Sequence, residues 1–248
     1  MIEEKIEIRT SDGISDGFLY RPDDKGRHPG VIHLTDIAGI RPSQEDMARR
    51  LAGEGYAVLV PNVFYRTGKP PVFDFPRKFG DEQTMKRVAE LSAPLTPDAM
   101  ARDASAYVDL LAAHDFVSKG GMGVVGYCLT GKMALYAAKA RPDKIAAVAS
   151  FHGAGLATDA ADSPHLALPA IQSALYFGHA TNDRSMPAEA IERLDRALAA
   201  WGGQYESEVY EGASHSWTVP DSPVYNQPQA ERAFGKLTQL FSETLGSS

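Results

Sequence analysis

The chain has 248 residues, 44% of them hydrophobic and 23% charged, with 25 Lys and Arg against 32 Asp and Glu for a formal charge of -7. Its one cysteine, Cys128, excludes an internal disulfide and a thiolate zinc site, and the acidic balance with no block of Lys or Arg speaks against a nucleic-acid partner. Glu3, Glu4 and Glu7 stand where a secretory signal needs apolar residues, and no later apolar run approaches the roughly 18 residues of a membrane span, so the expectation is a cytoplasmic protein with no membrane partner.

Ile6–Ile8 and Phe18–Tyr20 flank Asp12-Gly13 and read as a hairpin-like start. Val31–Leu34, Tyr56–Val60, Met122–Val125, Ile145–Ser150 and Leu175–Phe177 are short and apolar on consecutive positions. Such runs predict strands buried on both faces, as in a parallel sheet, with a last strand at Tyr205–Tyr210. Helical spacing fills the intervals. Ser43–Gly53 ends at two glycines, Thr96-Pro97 opens a helix carrying Ala101, Ala104, Val108, Leu111 and Ala112, and Leu129–Ala140 stops at Arg141-Pro142. Pro187–Trp201 stops at Gly202-Gly203, and Ala230–Leu245 closes the chain.

Alternation of strand and helix without a linker or repeat predicts one α/β domain over residues 1–248, with a mostly parallel central sheet and helices on both faces. Residues 64–97 break the pattern. They hold many prolines and aromatics together with Arg66, Lys69, Arg77, Lys78, Lys86 and Arg87, and they read as an edge excursion that forms a lid or pocket wall.

The stretch Gly126-Tyr127-Cys128-Leu129-Thr130-Gly131 carries the chemistry. It runs from a strand through a sharp turn into a helix, the layout of the nucleophile elbow G-x-S-x-G with sulfur in place of the hydroxyl. A helix N-terminus favours an anionic sulfur, and the N–H of Leu129 is the expected oxyanion donor. Asp183 follows in the loop beyond one strand and His215 at the end of another. Nucleophile, acid and His in that order is the arrangement of α/β-hydrolases, in which His215 would move protons and Asp183 would orient its ring.

On GYCLTG at 126–131, GHATNDRSMP at 178–187 and EGASHSW at 211–217, the chain resembles the dienelactone hydrolase family of the α/β-hydrolase fold, over essentially its whole length. The resemblance implies hydrolysis of a small-molecule ester or lactone by Cys128, Asp183 and His215 through a thioester, with no metal or organic cofactor. It sets no oligomeric state. It also implies that Asp36, in place of the usual glutamate, contacts the resting thiol and that Ile37 supplies the second oxyanion N–H. Two positions depart from the family. Thr130 replaces a glycine, and Val219 lies near where the dienelactone enzymes carry an arginine for the substrate carboxylate, a contact that a valine cannot make. Arg66, Arg77 or Arg87 would have to compensate. Tyr127, His152, Trp217 and Arg66 are the expected pocket residues.

Two other readings remain at the level of sequence. His33, Asp36, His152, His179 and Asp183 could converge at the strand ends as ligands of a metal-dependent hydrolase, although no H-x-x-x-H spacing is present. A non-catalytic small-molecule binding protein on the same fold would need only the pocket, and it would have no use for a thiol at the elbow.

Overall fold

The apolar runs become the strands of one sheet in the computed structural model, which describes residues 1–246. β1 (Ile2–Thr10) and β2 (Gly13–Arg21) form the predicted hairpin and pair antiparallel, and Gly13 takes φ 143° at the turn, a conformation open to glycine. Then come β3 (Gly30–Leu34), β4 (Ala57–Pro61), β5 (Met122–Tyr127), β6 (Ile145–Phe151), β7 (Ala174–Asn182) and β8 (Tyr205–Ser214). Their spatial order is β1-β2-β4-β3-β5-β6-β7-β8, and every pair from β4 to β8 is parallel. All residues of β3, β4 and β5 are buried, as unbroken apolar runs in a sheet covered on both faces should be.

Successive side chains along a strand point to opposite faces, so each run feeds two cores. Ile32, Val124 and Val148 join α3 (Pro97–Ala112), α4 (Thr130–Ala140) and α5 (Ala188–Trp201) through Leu111, Met133 and Leu194. Val31, Val125 and Ala147 join α1 (Pro42–Gly53) and α6 (Gln227–Thr244) through Leu51, Leu237 and Phe241. Leu111 is fully buried, so Leu111→Ala would cost about 2–5 kcal/mol through lost contacts and the cavity left behind. The fold is the α/β arrangement expected, a mostly parallel sheet with helices on both faces. No helix among the described residues is long and apolar enough to cross a membrane.

Three local differences have physical causes. The edge excursion contains a further helix, α2 (Glu82–Ser92), capped by the Asp81 side chain accepting the Thr84 N–H at 2.8 Å, and Val72, Leu91 and Leu95 bury into the core beneath it. Its apolar stripe is too short to stand out among the surrounding charges. Helix α6 starts at Gln227, earlier than the apolar spacing indicates, because Asn226 caps it and Pro228 tolerates the first turn. Finally, β7 and β8 run past their apolar segments to Asn182 and Ser214, and those extensions form the rim on which the site is built.

Candidate active site

The turn after β5 is the predicted elbow. Cys128 has φ 57°, a left-handed conformation that strains a non-glycine residue, and α4 begins two residues later. Its neighbours must be small. A Cβ on Gly126 would fall 2.3 Å from the Thr130 carbonyl oxygen, and one on Gly131 would meet Ser150 Oγ at 2.3 Å and Gly153 Cα at 2.8 Å. Thr130, the departure from the family pattern, ties the turn down. Its hydroxyl accepts the Tyr127 N–H at 2.9 Å and points its proton at the carbonyls of Leu34 at 2.9 Å and Tyr127 at 3.0 Å, joining the elbow to the end of β3. The Cys128 N–H is shared between Phe151 O at 3.2 Å and His152 Nδ1 at 3.1 Å.

Strand register brings the acid and the histidine together. The last pair of the β7–β8 ladder is Asn182 with Ser214, so the next residue of each chain segment, Asp183 and His215, emerges at the same edge. His215 Nδ1 donates to Asp183 Oδ2 at 2.7 Å, while Asp183 Oδ1 accepts the Ser185 N–H at 2.8 Å and the Ser185 hydroxyl at 2.6 Å. Burial works against the Asp183 carboxylate, but the His215 and Ser185 hydrogen bonds outweigh it and hold its pKa below the ordinary value. Burial also opposes charge on His215. Hydrogen bonds to Asp183 and Cys128 and the negative charge of both prevail, and push its pKa up to about 10.

Cys128 and His215 share a cleft of about 610 Å³ with Asp36, Ile37, Arg77, Lys78 and Val219. The N–H groups of Ile37 and Leu129 meet no acceptor among the described residues and are free to donate. The loop that presents Ile37 is clamped by its own aspartate. Asp36 Oδ1 accepts the Ala38 N–H at 2.9 Å, the Asp36 carbonyl accepts the Gly39 N–H at 3.0 Å, and Arg41 binds both Asp36 oxygens at 2.7 and 2.8 Å. Arg41 also donates to both oxygens of Asp221, at 2.7 and 3.0 Å, so the guanidinium joins this loop to the one after His215.

Several expected residues lie elsewhere. The Asp36 carboxylate, expected on the thiol, is held by Arg41 and makes no hydrogen bond to Cys128. Arg66, expected at the pocket, is spent on Asp103 at 2.7 and 2.8 Å and on Asp12 at 2.6 Å, because a buried carboxylate at Asp103 outcompetes an open cleft for a guanidinium. Arg87 donates to the Val72 carbonyl, whereas Arg77 does line the cleft. Tyr127 projects to the opposite face of the sheet. Trp217 is wholly buried against Tyr210 and His152, and His152 lies beneath the elbow with Nε2 on Thr218 Oγ1 at 2.9 Å; neither lines the cleft. Sequence reasoning missed Arg41, Asp221 and Ser185, of which only Ser185, two residues from Asp183, carried a local signal.

The histidines do not converge. His33 binds Gln44 Oε1 at 2.8 Å, and desolvation drives the pKa values of His33 and His179 down to about 4 and that of His152 well below its ordinary value. Among the described residues no three His, Cys, Asp or Glu side chains group as metal ligands.

Comparison with known proteins bears on this geometry. The sequence model of the dienelactone hydrolase family matches residues 15–245. A carboxymethylenebutenolidase of Rhodococcus opacus is 29% identical over 93% of this chain and 88% of its own. A dienelactone hydrolase-like promiscuous phosphotriesterase from metagenomic libraries superposes with a TM-score of 0.80 at 23% identity, covering 99% of this chain and 100% of that one. The dienelactone hydrolase of Anabaena variabilis gives a TM-score of 0.70 at 18% identity, over 99% of both chains, and at such identities these two structures speak for the fold. With the family match spanning nearly the whole chain, from the hairpin to α6, the chain belongs to the dienelactone hydrolase family, hydrolases of carboxylic ester and lactone bonds.

Proposed function

We propose that the protein hydrolyses a small carboxylic ester or lactone with Cys128 as nucleophile, His215 as proton carrier and Asp183 as the group that orients and charges the ring. The observation that carries this reading is the 2.7 Å contact of Asp183 with His215, a residue that lines one cleft together with Cys128. His215, its pKa pushed up to about 10, takes the thiol proton as the sulfur attacks. The Cys128 sulfur adds to the substrate carbonyl carbon, and the oxygen takes the negative charge opposite the free N–H groups of Ile37 and Leu129. The C–O bond then breaks as His215 gives its proton to the departing alkoxide, leaving an acyl thioester. Water enters, His215 takes its proton, hydroxide adds to the thioester, and the C–S bond breaks to return the thiolate and release the acid.

Asp36 serves this scheme by shape. Its bonds to Ala38 and Arg41 fix the turn that presents Ile37. Val219 offers no charge to a substrate carboxylate, and Arg77 and Lys78 are the cationic groups facing the cleft that meet no carboxylate at hydrogen-bond distance among the described residues.

The test is hydrolysis of p-nitrophenyl acetate and of a panel of lactones by wild type and by Cys128→Ala, with circular dichroism as the check on folding. Activity in the wild type and none in a folded Cys128→Ala variant supports the reading. Equal rates in the two proteins would overturn it.

A further inference from the structure

A second cavity lies across the sheet from the cleft, between α1 and α6, and it has no part in the scheme above. Its volume is about 160 Å³, and its walls are chiefly apolar: Met47 and Leu51 from α1, Phe151 from β6, and Ala233, Phe234 and Leu237 from α6. Tyr127, Thr218 and Tyr225 bring hydroxyls to that lining, and the first two are the buried ones. Tyr127 is 4% exposed and its hydroxyl meets no hydrogen-bond partner among the described residues, so burial, with the nearby Arg50 opposing, raises its pKa. The hydroxyl faces the open space of the cavity and is available to an acceptor on a ligand. Thr218 is the other. Its oxygen is bound by His152 Nε2 at 2.9 Å, and since His152 Nδ1 accepts the Cys128 N–H, Nε2 carries the ring proton and Thr218 is the acceptor. The Thr218 hydroxyl proton is thereby left for another acceptor.

We infer that this cavity is a second small-molecule site, and that its occupant is an uncharged aromatic molecule bearing one carbonyl oxygen. Size, walls and donors each contribute to that choice. An apolar cavity of about 150 Å³ accommodates a benzene ring. The walls offer the aromatic rings of Phe151 and Phe234 and the aliphatic side chains of Leu51 and Leu237, and the two buried hydroxyls supply donors that a carbonyl accepts and a hydrocarbon does not. A carboxylate is disfavoured, because Arg50 at the mouth is already paired with both oxygens of Glu231, at 2.7 and 2.6 Å, and Asp46 stands beside it. The site is separate from the nucleophile but adjoins its scaffold, since Thr218 connects through His152 to the Cys128 amide.

The probe is para-fluoroacetophenone, a ketone with no ester bond to cleave, followed by fluorine NMR on the full chain. Blocking Cys128 with iodoacetamide fills the catalytic cleft and should leave binding intact, with a Kd of about 1 mM or tighter for a ligand of this size. Ala233→Leu places a side chain in the cavity and should weaken binding at least about tenfold while the protein stays folded by circular dichroism, since the added atoms occupy empty space. Tyr127→Phe, which keeps the ring and removes the donor, should weaken it by about three- to tenfold. Absence of saturable binding to the wild type would overturn the inference, as would binding abolished by iodoacetamide or unchanged by both substitutions.

Discussion

Two carboxylate–cation contacts flank the cleft, and their difference separates chemistry from architecture. On one side Asp183 meets His215 at 2.7 Å, and the imidazole, 28% exposed, turns its other nitrogen to the reacting region. On the other, Asp36 meets Arg41 at 2.7 and 2.8 Å, and Arg41 is at the same time tied to Asp221. An imidazole can lose its proton within the range in which proteins operate, so the first contact can carry a proton between sulfur, substrate and water. A guanidinium cannot, so the second can only hold two loops in place. Similar distances thus give a contact able to move a proton in one case and a clasp in the other.

That contrast can be broken or sharpened by substitution. Asp183→Asn should lower kcat/KM by about a thousandfold to ten-thousandfold, because the ring loses its orientation and the partner of its charge. The pH profile should respond with a definite sign. His215 must be protonated to release the alcohol, so wild-type activity should fall as pH rises through about 10, and without the Asp183 charge, which raises that pKa, the fall should come at lower pH. An unmoved alkaline limb would make the Asp183 contact structural.

Arg41→Met acts on the opposite contact and should read mainly as instability. It leaves a buried carboxylate unpaired, at a cost of about 3–5 kcal/mol, or roughly 10 °C in melting temperature for a chain of this size. A melting temperature equal to wild type would remove the clasp from the account. Thr130→Val should cost about 1–3 kcal/mol, since the buried Tyr127 N–H loses its acceptor, and calorimetry reads this directly. Asp36→Asn has the smallest expected effect. It should reduce the rate by about tenfold, as expected when an oxyanion donor is loosened rather than removed, with the limbs of the pH profile in place. A shifted acid limb in Asp36→Asn would instead make Asp36 a regulator of the thiol, as the family resemblance implies.

Local patterns in the sequence carried most of the proposed catalytic side. The elbow is readable because Gly126, Cys128 and Gly131 lie within six residues of one another and each is dictated by a backbone approach or turn. Asp183 and His215 are readable because each follows a strand, and the ladder that aligns them requires only that both strands run to the same rim. The clasp side is not readable in this way. Arg41 finds Asp221 across 180 positions, and nothing near either residue announces the other. Arg66 illustrates the reverse: its basic neighbourhood suggested the cleft, yet the decisive partner is Asp103, a buried carboxylate on α3 that only the folded chain brings near. Tyr127 lies beside Cys128 in sequence and on the other face in space, as the alternation of a strand requires.

The thiol itself is tested most directly by trapping the acyl-enzyme. Wild type mixed with p-nitrophenyl acetate, quenched in acid during turnover and digested, should give a peptide carrying one acetyl group on Cys128, removable by hydroxylamine as a thioester is. The account predicts that adduct in the wild type and its absence in Cys128→Ala, together with loss of turnover. An acetyl group on another residue during turnover, or undiminished hydrolysis by Cys128→Ala, would contradict it.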